Sequence, residues 1–145
     1  MNQSNTRSGD IPVKAGENLS GKENLLAKLA NSSGATVALL PAANTDLAFF
    51  LIIEGEESGK TASLRPLNPE RNVRVTLKAT CNPGDVLVLA DVATPADIGK
   101  VRTLPVAAGT YRGLLIAEES GIDGQSVLAR PAIGIGNIVV TAPQP

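Results

Sequence analysis

The chain contains no histidine and no tryptophan, and its only rings are Phe49, Phe50 and Tyr111. Without histidine it lacks the side chain most used as a general base and as a nitrogen ligand for zinc. With so few rings it lacks the stacking platforms on which single-stranded nucleic acids are held. The one cysteine, Cys81, excludes an intrachain disulfide and a thiolate metal cage. It has no histidine to activate it and reads as a small buried or half-buried filler that suits intracellular synthesis. Charge of neither sign dominates: 13 basic and 14 acidic residues leave a net charge of −1. No overall field draws the protein to nucleic acid or to an anionic membrane. No apolar run approaches the roughly 20 residues that span a bilayer, and no basic segment followed by an apolar core marks a signal. A soluble cytosolic product, with no nucleic-acid or membrane partner, is expected.

What the chain does have is Val, Leu, Ile and Ala, which supply most of its 43% hydrophobic content. Its 145 residues suit one domain that can bury a core without metal or disulfides. The plainest stretch runs from Asn72 to Ala90. Val73, Val75, Leu77 and Ala79 alternate with Arg74, Thr76 and Lys78, the period of a strand with one face on a core. Asn82-Pro83-Gly84-Asp85 then supplies turn chemistry, and Val86 to Leu89 resumes as a second strand paired with the first.

Residues 1–16 hold few apolar groups and predict an extended N-terminal arm. Residues 17–141 predict a single β domain, and 142–145 a C-terminal tail. Between 20 and 40 two structures compete. Ser20 and Glu23 have the spacing of a capping box ahead of Leu25, Leu26 and Leu29, while Asn31-Ser32-Ser33-Gly34 suits a hairpin connection, which the β character of the rest favours. Leu47 to Ile53 is a continuous apolar run, expected as a central strand covered on both faces with its phenylalanines anchoring the core. Thr94-Pro95-Ala96-Asp97 predicts a single helical turn capped by Thr94 and closed by Gly99. Strands are expected over 110–117 and 125–130, and Gly134 and Gly136 predict a bulge or bend near Ile133 to Thr141. Nine or ten short strands with turn signals about every 8–12 residues predict an all-β, mainly antiparallel fold, a small sandwich or barrel-like domain. No internal repeat of fixed period is visible in the residues.

The one motif that suggests chemistry is Gly55-Glu56-Glu57-Ser58-Gly59-Lys60-Thr61 after an apolar strand. A phosphate-binding loop needs four residues between its first glycine and Gly-Lys-Thr, followed by a helix. Here three intervene, two of them acidic, and Pro66 and Pro69 follow closely. The segment reads as a polar hairpin tip. Glu56/Glu57 and Glu118/Glu119 read as solvated connections rather than catalytic dyads, because neighbours on a strand point apart. No calcium loop, Ser-x-x-Lys or Gly-x-Ser-x-Gly frame is present. The chain is expected to have no catalytic residues, no cofactor, no metal and no enzymatic activity.

Three pieces, in this order, carry a family resemblance: Val13-Lys14-Ala15-Gly16-Glu17-Asn18-Leu19-Ser20-Gly21-Lys22-Glu23; Asn82-Pro83-Gly84-Asp85 before an apolar strand; and Gly113 to Glu119 followed by Asp123-Gly124-Gln125-Ser126-Val127. Over roughly Ile11 to Val140 the chain resembles the capsid cement or head decoration proteins of tailed phages. The resemblance implies a structural virion protein on the capsid exterior, bound to the major capsid protein as a homotrimer and stabilising neighbouring subunits. Within the arm, Arg7, Ile11, Val13 and Lys14 are the expected capsid contacts. A receptor- or carbohydrate-binding β module of a phage particle is the alternative, with Tyr111 as the ring free to serve it.

Overall fold

The computed structural model describes residues 9–142, and ten strands and one short 3-10 turn make up its regular structure. The first five strands are β1 (Ile11–Ala15), β2 (Leu26–Ser32), β3 (Ala35–Leu39), β4 (Phe50–Glu54) and β5 (Thr61–Pro66). They close into a barrel in the order β1-β3-β2-β4-β5, with β5 returning antiparallel to β1 and only the β1–β3 pair parallel. Val13, Ala15, Leu19, Ala27, Ala38, Ile52 and Leu64 fill the interior. A five-stranded barrel has a narrow lumen, and three of these seven side chains are alanine. A chain with so few rings therefore suits this architecture.

Residues 20–40 adopt the hairpin. Ser33 and Gly34 carry φ of 50° and 86° between paired Ser32 and Ala35, and both values are left-handed, as a two-residue primed turn requires. The Asn31 side-chain oxygen accepts the Gly34 N–H at 2.9 Å. Glu23 does not close a capping box: its carboxylate accepts the distant Gly55 N–H at 2.9 Å.

The second sheet contains β6 (Val73–Thr76), β7 (Val86–Leu89), β8 (Val101–Thr103), β9 (Gly109–Ala117) and β10 (Ser126–Val140). Its order is β6-β10-β9-β7-β8 and every pairing is antiparallel. The expected partnership between Val73–Ala79 and Val86–Leu89 is therefore corrected, since β9 and β10 stand between β6 and β7. Val73, Val75 and Leu77 are buried as the alternation predicts. Ala79 leaves the pattern in the left-handed region, at φ 69°.

The expectation of no internal repeat is also corrected. The segment from β6 through its turn into β7 recurs, at a constant offset, as β9 through its turn into β10. Leu77 matches Ala117, Cys81 matches Gly121 and Gly84 matches Gly124. The two units bond reciprocally. Gly84 N–H donates to Ala117 O at 2.8 Å and Gly124 N–H to Leu77 O at 2.9 Å; Ala117 N–H donates to Asp85 O at 2.9 Å and Leu77 N–H to Gln125 O at 2.8 Å. Cys81 and Gly121 exchange both backbone bonds, at 3.1 and 3.2 Å. The strand registers agree, with Val86 opposite Ile116 and Ser126 opposite Thr76. Each unit thus completes the other's turn, and few side chains need be shared for the backbone to repeat.

β4 joins the two layers. Ile52 points into the barrel, whereas Leu51 and Ala48 join the larger core with Val75, Leu77, Leu87, Leu89, Leu114, Leu115 and Val127. Of the strand expected over Leu47 to Ile53 only the part from Phe50 is strand, and Leu47 is 56% exposed; Phe49 and Phe50 are half-buried at the margins, and Leu51 and Ile52 are the anchors. Pro95–Asp97 forms the expected turn, although Thr94 contributes its carbonyl, which accepts Asp97 N–H at 2.9 Å, and not a side-chain cap. The β9–β10 register shifts between Pro131 and Gly136, where the glycines predict it.

Gly84 and Gly124 have φ of 90° and 83° with open space where a Cβ would stand. Gly84→Ala and Gly124→Ala are each expected to lower unfolding free energy by about 1–2 kcal/mol through backbone strain alone. Urea denaturation checks this, and an unchanged midpoint in either variant would contradict the reciprocal-turn account.

Candidate functional site

The Gly55–Thr61 segment connects β4 to β5, so a strand and not a helix follows it. Its backbone donors face the protein. Gly55 N–H is taken by Glu23, Gly59 N–H by Ala15 O at 2.8 Å and Lys60 N–H by Glu57 O at 3.0 Å. Lys60 Nζ lies 3.3 Å from the Glu57 carboxylate, with both side chains exposed. Gly55 is required by packing: any Cβ there would run into the Leu19 carbonyl. These residues build a tight join between the barrel and the 19–23 loop, with no ring of free amides for a phosphate.

The acidic pairs are also engaged. Glu118 meets Arg130 at 3.1 Å and accepts from Asn72 at 3.0 Å, while Glu119 meets Arg74 at 3.2 Å and accepts Leu128 N–H at 3.0 Å. The Asn72 bond, ahead of Arg130, holds the Glu118 carboxyl below its ordinary value. Asp97, buried, is flanked by Lys100 at 3.2 Å and Lys78 at 3.6 Å. Burial pushes the Cys81 thiol up, with the Asp85 and Glu119 charges adding to it, and the residue behaves as packing. Among the described residues no group of three or more His, Cys, Asp or Glu is placed to hold a metal, and no helix is long and apolar enough to cross a membrane.

The proposed contact residues separate. Arg7 lies outside the described residues. The arm expected over 1–16 is corrected from Ile11 onward, because Ile11–Ala15 is a barrel strand paired to β5 and β3. Val13, 8% exposed, points into the barrel and is closed to a partner, while Lys14 is exposed and Ile11 half-buried. The sequence shows so few apolar groups here because β1 needs only alternate ones to fill its share of the interior. Asp10 fixes the start of β1 by accepting from both Arg65 Nε, at 2.8 Å, and Arg65 Nη2, at 3.1 Å. Tyr111 is not the free ring of a sugar site. It is 6% exposed, donates its hydroxyl to Ala107 O at 3.0 Å and is covered by Arg102, 5.6 Å from its centroid.

One surface escaped the sequence reasoning. Before Gly113 and beyond Gly136 the β9–β10 hairpin leaves the sheet. Among the described residues Gly109–Arg112 and Asn137–Val140 pair only with each other. Val106 is 92% exposed, Val139 68% and Ile135 38%. The available signal was negative: no charged residue occurs in 103–111 or in 131–145. At the root of this ribbon Arg112 lies over the Phe49 ring at 5.2 Å and donates to Ile133 O at 3.4 Å.

No protein-family model and no curated protein matches the chain. Among solved structures it is similar to the N base of head fiber gp8.5 of bacteriophage phi29, with a TM-score of 0.63 and 15% identity over 86% of this chain and 93% of that one. At that identity the likeness is one of fold.

Gly55→Ala is expected to destabilise by about 3 kcal/mol, more than either turn glycine, because backbone must move to admit the methyl group. A urea titration beside Gly84→Ala checks the order. Stability should also fall on acidification. The Arg65 bond lowers the Asp10 pKa; at Asp46 burial pushes upward but the Lys28 bond and the amides of Ala42 and Ala43 outweigh it; the Ala79 amide lowers Asp123. Folded values below unfolded ones contribute stability that is present above the ordinary carboxylate range and lost as pH falls through the folded values. The thermal midpoint should hold from neutrality to about pH 5 and drop below about pH 4. Asp46→Asn should flatten that acid limb, and an equally steep limb in the variant would remove Asp46 from the account.

Proposed function

We propose that the chain is a structural protein of a phage virion that binds the outer surface of the head and stabilises neighbouring major capsid subunits as a homotrimer. The observation that carries this is the fold shared with the phi29 head fiber base across most of both chains. The resemblance to cement proteins supports it independently, because those pieces lie in β1 and the following loop and in the two reciprocal turns. The neighbour is a fiber base and not a cement protein, so head association is the part that both supports share.

The physical properties suit such a role. Two cores of aliphatic side chains are joined through β4, and most polar turns are tied to neighbouring backbone. A rigid block of this kind loses little conformational entropy on docking. Modest contacts repeated over a closed shell then suffice through avidity. The chemistry is binding rather than turnover, since the two segments that resembled catalytic features serve turns and ion pairs.

Capsid contact is assigned to residues 2–8 and to the exposed Lys14, with Ile11 at its edge. Deleting 2–14 would remove most of β1 and unfold the barrel, so the informative truncation stops at residue 8. Removing 2–8 and substituting Lys14→Glu should leave the circular dichroism spectrum unchanged and weaken attachment to empty heads roughly tenfold, equivalent to about 1.4 kcal/mol. Full occupancy by this variant at wild-type concentrations would defeat the assignment.

A further inference from the structure

Where the start of β1 meets the end of β5 and the turn before β6, the surface holds a hollow of about 350 Å³. Asp10, Arg65, Pro66, Leu67, Pro69 and Arg71 are among its lining residues. Arg65 gives its Nε hydrogen and one Nη2 hydrogen to the two oxygens of Asp10, at 2.8 and 3.1 Å, so its guanidinium is held in one orientation. Its other N–H groups have no partner among the described residues and are open to water. Pro66, Leu67 and Pro69 supply the apolar part of the lining.

Arg71 is exposed and forms no ion pair among the described residues. Residues 1–8 and 143–145 contain no Asp or Glu, so no acidic side chain elsewhere in the chain is left to neutralise it. The turn that carries it is pinned: Arg71 N–H donates to Asn68 O at 3.0 Å, and Glu70 N–H donates to Asn68 Oδ1 at 3.0 Å. Glu70 belongs to this turn but does not line the hollow. The Asp10 carboxyl is held below its ordinary value first by the Arg65 bonds and then, against the effect of burial, by the charges of Arg65 and Arg71. The field of Arg71 therefore reaches the space that Arg65 faces. Two arginines against one aspartate leave the hollow with one surplus positive charge.

We propose that this hollow is a carboxylate-binding site that receives an Asp or Glu side chain of a protein partner. A planar guanidinium matches a carboxylate through parallel N–H bonds, and here one guanidinium is already oriented while the other lacks an acid. One carboxylate cancels the surplus charge. A phosphate ester, with a charge of about −1.5 to −2, exceeds it and meets the Asp10 carboxylate as well. The volume stands at the lower end of the range of about 300–1,000 Å³ found for sites that enclose small molecules, which suits one side chain and a short piece of its backbone. The apolar lining suits the methylene groups of that side chain. Gly9 also lines the hollow, so the site adjoins residues 2–8, to which head contact is assigned, and the acid it receives is one on the head surface. That source of the carboxylate rests on the head-binding reading above; the site itself does not.

The test is a magnetic-resonance titration of the isotope-labelled full chain with glutamate blocked at both ends by amides, with the equivalent blocked glutamine, and with inorganic phosphate. Blocked glutamate should shift the Nε–H signals of Arg65 and Arg71 and the amides of Leu67, Asn68, Glu70 and Arg71, saturating in the millimolar range, whereas blocked glutamine should leave them in place. Arg71→Gln should weaken this binding at least about tenfold with unchanged circular dichroism, since Arg71 is exposed and its loss does not challenge folding. Lys60→Gln removes the same charge at the opposite end of β5 and should bind as the wild-type chain does. Absence of saturable shifts, an equal response to blocked glutamine, tighter binding of phosphate, or unchanged affinity in Arg71→Gln overturns the site. Attachment to empty heads is scored separately. A wild-type chain that binds blocked glutamate in the hollow but does not decorate heads strikes the head-binding reading alone, and heads decorated equally by Arg71→Gln overturn the head as the source of the carboxylate.

Discussion

The structure depends on one reciprocal exchange, in which each of two turns is closed by the backbone of the other. Gly84 and Gly124 present their amides to the carbonyls of Ala117 and Leu77, and Cys81 and Gly121 pair between them. Neither unit can complete its own backbone bonding. Leu77, Cys81, Ala117 and Gly121 are buried, and their amides would be costly to leave without these partners. That constraint places β9 and β10 between β6 and β7 and puts Leu77, Leu87, Leu115 and Val127 on one side, where the larger core assembles.

From that centre the remaining features follow by packing. The barrel brings Leu26, Leu51 and Leu67 to the same core, so the two layers share a hydrophobic contact and not merely a linker. The barrel's own interior is small and takes alanines, and β4 alternates between the two cores residue by residue. Charges stay at the rim, paired across turns: Asp10 with Arg65, Asp46 with Lys28, Glu118 with Arg130. Their role is to fix loops, and exposed pairs of this kind contribute little individually.

The side chains that looked reactive in the sequence are engaged within the fold. The cysteine is packed and the single tyrosine is covered, while among the described residues Lys14 at the start of β1 and Val106 and Val139 at the outer ribbon are exposed. The first is polar and basic at Lys14; the ribbon is mainly apolar, with its one charge, Arg112, laid over Phe49.

Much of the fold was legible in the residues because strand alternation and turn chemistry are local. Val73, Val75 and Leu77 declared a buried face, Asn31 to Gly34 a hairpin, Gly134 and Gly136 an irregular strand, and the scarcity of rings an aliphatic interior. Pairing was not legible. The repeat of 73–89 in 113–129 is carried by backbone bonds and a glycine, not by shared side chains, so no comparison of residue types exposes it. The entry of Ile11–Ala15 into the barrel was hidden for a related reason: a strand that buries only Val13 and Ala15 looks too polar to be structural until its neighbours are in place. Composition and local pattern thus determined the class of fold and the kind of interior. Only the tertiary structure decided which strands meet, which glycines are indispensable and which apolar residues stay outside, because those depend on contacts between segments far apart in the chain.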